Sequence, residues 1–167
     1  AAGSDRGEVL DPGVLLRLLD AYARRSPGGR WGSLGTLHAH ENGHVIDIRR
    51  HLPLWNGLPA TLSLLALEGL SFARFEAVLE RRAQLASVID APDPDLAISE
   101  MIEMLPAEER EPEAHAAGYR DGLDRIVRHV WARPDLYPQV HRSARVLPQL
   151  DRLSLEQLRR AARAVVD

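Results

Sequence analysis

The sequence predicts a mainly α-helical protein, a single helical domain of five or six helices with at most one β-hairpin. Apolar residues recur at helical spacing along most of its 167 residues, and clusters of Pro and Gly separate these segments. Its 45% hydrophobic and 27% charged residues are typical of a soluble globular chain of one domain. We expect residues 1–11 to be a flexible arm and residues 12–167 to be the domain, with a sub-boundary at 90–95.

The first helix is predicted to begin at Asp11-Pro12, where Asp is a suitable N-cap and Pro suits the first turn. Apolar residues from Val14 to Tyr22 continue the helical spacing to about Arg25. The run from Ser26 to Gly29 should then be a linker. The next element, residues 31–50, contains the most informative motif of the chain.

This motif is H-E-x-x-H, formed by His40, Glu41 and His44. On a helix, positions i and i+4 share a face, so both imidazoles can bind one zinc ion while the glutamate serves as general base. A rival interpretation places Asn42-Gly43 in a type I′ turn of a β-hairpin. The sequence favours the helix over the hairpin, and the helix would carry a zinc site at its centre.

Neighbouring polar residues have a role in either interpretation. On the helix, Asp47 and His51 extend the face of the two motif histidines. Asp47 would orient a ligand imidazole, and His51 is either a third ligand or a cation at the end of the helix. In the hairpin, His38 and His40 lie on one side of a strand, which is another arrangement that binds metal.

The motif resembles the active-site helix of zinc metallopeptidases, in which Gly often fills the fourth position and Asp follows the second His. Downstream, Glu68-Gly69-Leu70-Ser71 with a later acid at Glu76 resembles the third-ligand helix of largely α-helical gluzincins. The resemblance covers residues 34–82, less than a third of the chain. It implies zinc held by His40, His44 and Glu68, Glu41 as general base, and a peptide or protein substrate. An Arg partner for Glu68 is the alternative.

Further helices are expected over residues 59–88, 96–105, 113–131 and 155–166, the last after the capping box Ser154-x-x-Gln157. Residues 140–150 fit no single element. Several aromatic and imidazole groups are candidates for a hydrogen bond to a transition state, and the sequence does not choose among Tyr119, Tyr137, His115, His129 and His141.

Composition narrows the function classes. A net charge of −3 gives no basic footprint for nucleic acid, and the absence of Cys excludes thiolate chemistry and disulfides. The chain has neither a spanning apolar run nor a signal-like start, so we expect no membrane association and a cytoplasmic protein or a mature secreted form. The leading hypothesis is a zinc-dependent metallopeptidase, whose cleft a partner chain would help to complete. The absence of a β-strand before the motif favours one alternative, a non-catalytic metal-binding domain. The other alternative is a metal-free helical interaction domain in which Asn42-Gly43 is only a turn.

Overall fold

The computed structural model describes residues 12–25, 29–51, 62–63, 66, 71–105 and 114–166, and these residues contain helices and turns but no β-strand. The mainly α-helical prediction is therefore confirmed for this part of the chain. The elements are α1 (Pro12–Arg25), α2 (Gly29–His51), α3 (Phe72–Asp90), α4 (Pro94–Glu103), α5 (Ala114–Ala132), a 3-10 helix (Leu147–Arg152) and α6 (Leu155–Arg163).

The hairpin interpretation of Asn42-Gly43 is wrong, because both residues lie inside α2. The physical reason is the packing of α2 against α3. Gly43 is buried where α2 crosses α3, and a Cβ at this position would lie 2.8 Å from the Cα of Ala83. The glycine that reads as a turn residue thus permits a close contact between two helix backbones.

One hydrophobic core joins the helices on both sides of residues 90–95. On α5 the core residues Tyr119, Leu123, Ile126 and Val130 recur at helical spacing. Phe72, the first residue of α3, is exposed. Among the described residues, the largest fully buried hydrophobic side chains are Tyr22, Leu85, Ile98, Met101, Ile102, Leu123, Ile126, Tyr137, Leu150, Leu153 and Leu158. Burial of this apolar surface supplies the main stabilisation of the fold.

Helix α3 lies between α2 and α5 and makes the most extensive helix contacts with them. The crossing with α5 is as close as the one with α2, since a Cβ on Gly118 would lie 2.5 Å from the carbonyl oxygen of Ala77. An ion pair between Arg81 and Asp121, with an N–O distance of 2.7 Å, also joins α3 to α5. Side chains from all three helices therefore converge along α3.

The face of α2 that packs against the bundle is small and polar. Thr36, Ala39, His40 and Gly43 are buried, whereas the apolar residues Leu34, Leu37 and Val45 of the same helix are exposed. Small residues let the helix approach α3 closely, and the two motif histidines are carried inward with them. Close packing at this crossing, more than hydrophobicity, orients the helix.

Local signals fix several helix ends. Ser71 and Asp93 cap α3 and α4 by accepting hydrogen bonds from backbone N–H groups, and the predicted capping box of Ser154 and Gln157 is present before α6. The ambiguous residues 140–150 form turns that lead into the 3-10 helix. Within the described residues, no helix is long and apolar enough to cross a membrane.

Candidate metal centre

The two motif histidines meet a carboxylate of α3. His40 Nε2 and His44 Nε2 lie 3.0 Å apart, and each lies 3.6 Å from one carboxylate oxygen of Glu80. Donor atoms at 2.0–2.1 Å from a tetrahedral zinc are separated by about 3.3–3.4 Å. The 3.6 Å distances join His40 to Oε2 and His44 to Oε1, and 3.0 Å is also a hydrogen-bond distance between the two imidazoles. One donor atom from each of the three residues lies within 4.8 Å of the others, so the triad is a candidate site for one metal ion.

Gln84 sets the tautomer of His40. The amide nitrogen of Gln84 donates hydrogen bonds to the carbonyl oxygen of Ala97 at 2.8 Å and to Glu100 Oε2 at 3.0 Å. Its oxygen therefore faces His40 Nδ1 at 3.2 Å, and since an oxygen can only accept, Nδ1 carries the proton. The lone pair of His40 is then on Nε2, which is the atom directed at Glu80 and His44.

His40 is also held in the neutral form that binds metals. Burial lowers its pKa, and the neighbouring His44 lowers it further, while the hydrogen bond with Gln84 and the carboxylates of Glu80 and Glu41 act in the opposite direction. The balance of these effects is a lowered pKa. An unprotonated imidazole is therefore available near neutral pH, as coordination requires.

Glu80 is a carboxylate in a mostly buried position, with 13% of its side chain exposed. Its Oε2 atom is buried, and the nitrogen atoms near it belong to imidazoles: His115 Nε2 at 3.1 Å and His40 Nε2 at 3.6 Å. A buried carboxylate oxygen without a donor is costly. A cation between the imidazoles and this oxygen would satisfy it.

A cavity of about 290 Å³ is lined by His40 of the triad and is bordered by α2, α3, α4 and α5. Glu41, the predicted general base, is exposed and lines this cavity beside His40. His115 and Tyr119 of α5 line the cavity as well, so the structure brings two of the five sequence candidates for a transition-state hydrogen bond to the site. Burial raises the pKa of Tyr119, whose hydroxyl therefore keeps its proton.

The remaining predicted site residues have different outcomes. Glu68 lies outside the described residues, as do the side chains of Asp47 and His51, so their predicted roles stay predictions. The other imidazole and phenol candidates are not among the residues that line the cavity. Two of them, His129 and Tyr137, pack against each other instead, with ring centroids 5.9 Å apart.

Sequence reasoning missed Glu80 and Gln84. Both belong to a charged run of α3, E-R-R-A-Q, that reads as a solvated helix surface. The available signal was their spacing, since Glu80 and Gln84 are four residues apart and share a face with the small residues Ala83 and Ser87. That face packs against α2, where Ser87 donates a hydrogen bond to the carbonyl oxygen of Thr36.

Comparisons with known proteins do not identify the site. No family model matches the sequence, and neither the curated proteins nor the solved structures include a match to it. The resemblance to zinc metallopeptidases therefore stays a prediction that depends on the motif alone.

Proposed function

We propose that this protein is a zinc-dependent hydrolase whose metal is held by His40, His44 and Glu80. The observation that supports the proposal is the convergence of two imidazole nitrogens and a partly buried carboxylate, with one donor atom of each residue within 4.8 Å of the others. Two imidazoles and one carboxylate form a donor set used by catalytic zinc sites, which leave the fourth position open. In this proposal Glu80 takes the role that the sequence resemblance implies for Glu68.

The residues around the cavity have the properties that hydrolysis requires. Zinc bound by such a set supplies Lewis acidity, which makes a water molecule nucleophilic near neutral pH. Glu41 borders the cavity next to His40, and we assign to it the acceptance of the proton from the attacking water. Tyr119 retains its hydroxyl proton and is the candidate donor to the oxygen that gains negative charge.

The proposed substrate is a peptide or protein, as the motif resemblance implies. The cavity of about 290 Å³ is at the small end of ligand pockets, so it suits the groups next to a scissile amide better than a long peptide segment. Glu41, Glu100 and Glu103 give its border an acidic character.

A non-catalytic metal-binding domain is the second candidate. His115 favours it, because a fourth protein donor near Glu80 would close the coordination sphere, as in structural zinc sites. Such a site would bind zinc and show no hydrolysis. The two candidates therefore agree on the metal and differ in activity.

The first experiment measures metal content by elemental mass spectrometry on protein purified without an affinity-metal column. We expect about one zinc per chain in the parent and its loss in His44→Ala. His38→Ala is the matched control. His38 is an exposed histidine of the same helix, and its side chain contacts Asn42 and not Glu80. A parent protein that binds no zinc, even when zinc is added, would contradict the proposal.

Activity is tested next by cleavage of a peptide library with the zinc-loaded protein. Removing a general base costs about 10²–10⁴-fold in rate, so Glu41→Gln should lose cleavage by that factor and keep its zinc. Zinc binding without any hydrolysis in the parent would favour the non-catalytic domain.

A further inference from the structure

His115 is an imidazole on a third helix that faces the proposed metal centre. It lies in the first turn of α5, and its Nε2 atom is 3.1 Å from Glu80 Oε2. Its ring is nearly parallel to that of His40, with centroids 6.4 Å apart and an interplanar angle of 19°. The sequence gives no spacing signal for this residue, because α5 is remote from the H-E-x-x-H motif in the chain.

His115 Nε2 and Glu80 Oε2 are close enough for an ion pair or for two ligands of one metal ion. Two ligand atoms of one tetrahedral zinc are about 3.3 Å apart, and the separation of 3.1 Å is close to that value. The close crossing at Gly118 holds α5 against α3 and thereby keeps His115 beside Glu80.

We infer that His115 is a fourth protein ligand of the metal and the one that substrate displaces. This inference rests on the proposed metal site and deepens it. His115 has 57% of its side chain exposed, against 10% for His40 and 23% for His44, so it is the donor with room to leave. With His115 bound the coordination sphere would be closed, and its release would free a fourth position between His40 and His115, the two proposed ligands that line the cavity.

The experiment uses Co²⁺ as a spectroscopic substitute for zinc in the full chain. We compare the parent with His115→Ala, His115→Gln and the control His38→Ala, measuring the visible spectrum and the affinity by chelator competition. A ligand role predicts that both His115 variants shift the Co²⁺ bands and weaken binding by at least about tenfold. Added imidazole should restore the parent spectrum in His115→Ala only.

The Gln variant separates coordination from hydrogen bonding. Its amide reaches to where Nε2 lies and can still donate to Glu80, so a purely hydrogen-bonding His115 would leave the spectrum and affinity of His115→Gln unchanged. Variants that bind Co²⁺ like the parent would overturn the inference and leave the three-residue site intact. A parent that binds no metal would overturn both proposals, whereas confirmed His115 ligation without peptide cleavage would remove only the hydrolase.

Discussion

The crossing of α2 and α3 at Gly43 gives a prediction that links packing to metal affinity. In Gly43→Ala the new Cβ would lie 2.8 Å from the Cα of Ala83, whereas carbon atoms in ordinary contact are about 3.5–4.0 Å apart. The obstacle is backbone and cannot rotate away, so the helices must separate locally by about 1 Å. That shift exceeds the tolerance of about 0.2 Å in metal–ligand distances.

The expected energies follow from two opposing effects. Overpacking of this kind costs about 1–3 kcal/mol, and replacing Gly by Ala inside a helix returns about 1 kcal/mol. We therefore expect the free energy of unfolding of the metal-free protein to fall by about 1 kcal/mol. Zinc affinity should fall by at least about tenfold, because His40 and His44 move away from Glu80.

Urea unfolding monitored by circular dichroism and zinc competition with a chromophoric chelator measure the two effects. Gly122→Ala is the matched control, since its Cβ would meet the flexible end of Met101 at 2.6 Å, on a different helix pair. We expect the control to keep the zinc affinity of the parent. A Gly43→Ala protein that is more stable than the parent and binds zinc equally well would refute the close crossing.

Three further predictions concern single side chains. Glu80→Gln should lower zinc affinity by more than about 100-fold, because the variant loses the negative charge of the carboxylate. The stability of the metal-free protein should change by less than about 1 kcal/mol, because the amide has the same shape as the carboxylate that it replaces. Retained zinc affinity would exclude Glu80 as a ligand. Burial raises the pKa of Glu100, with Glu103 adding to the effect and the hydrogen bond from Gln84 opposing it. The folded state therefore holds more protons above pH 4.5, and the free energy of unfolding of the metal-free protein should fall as pH rises from 4.5 through the raised pKa. Glu100→Gln should remove this decline in urea unfolding measured across pH, and an unchanged pH profile would contradict the assignment. Burial alone would raise the pKa of Asp121, but hydrogen bonds from Arg81 and Arg125 lower it, so its stabilisation is present above pH 3.8 and is lost as pH falls through the lowered value. Asp121→Asn should therefore destabilise the protein by less than about 1 kcal/mol at neutral pH, because the side chain of Asp121 is 46% exposed and solvent screens its ion pairs. The difference should shrink in acid, and equal stability at neutral pH would show that Arg81 needs no anion.

The fold was predictable where periodicity and caps act locally. The inward residues of α5 and the capping box before α6 follow directly from spacing and residue type. Helical spacing does not predict the burial of every apolar residue. Phe72 belongs to an apolar helical pattern but is exposed, because it is the first residue of α3. Residues 140–150 lack periodicity, and turns held by backbone hydrogen bonds form there.

The site was predictable only within one helix. The spacing of His40 and His44 places them on one face, which α2 confirms. Glu80 could not be distinguished from other helix carboxylates, because the choice of partner depends on where α2 crosses α3. Gly43 marks the point where α2 crosses α3, but in the sequence a glycine beside asparagine is equally typical of a turn.

The distribution of the donors over α2, α3 and α5 has a consequence for how the protein folds. In an unfolded chain His40 and His44 are neighbours in sequence, but Glu80 and His115 are remote from them, so tight binding at the proposed site requires all three helices to be docked together. Zinc at a thousandfold excess over its dissociation constant would then add about 4 kcal/mol to the free energy of unfolding. Occupancy of the metal centre would report the completed assembly of the helices, and zinc depletion would act on the whole domain as a loss of folding free energy.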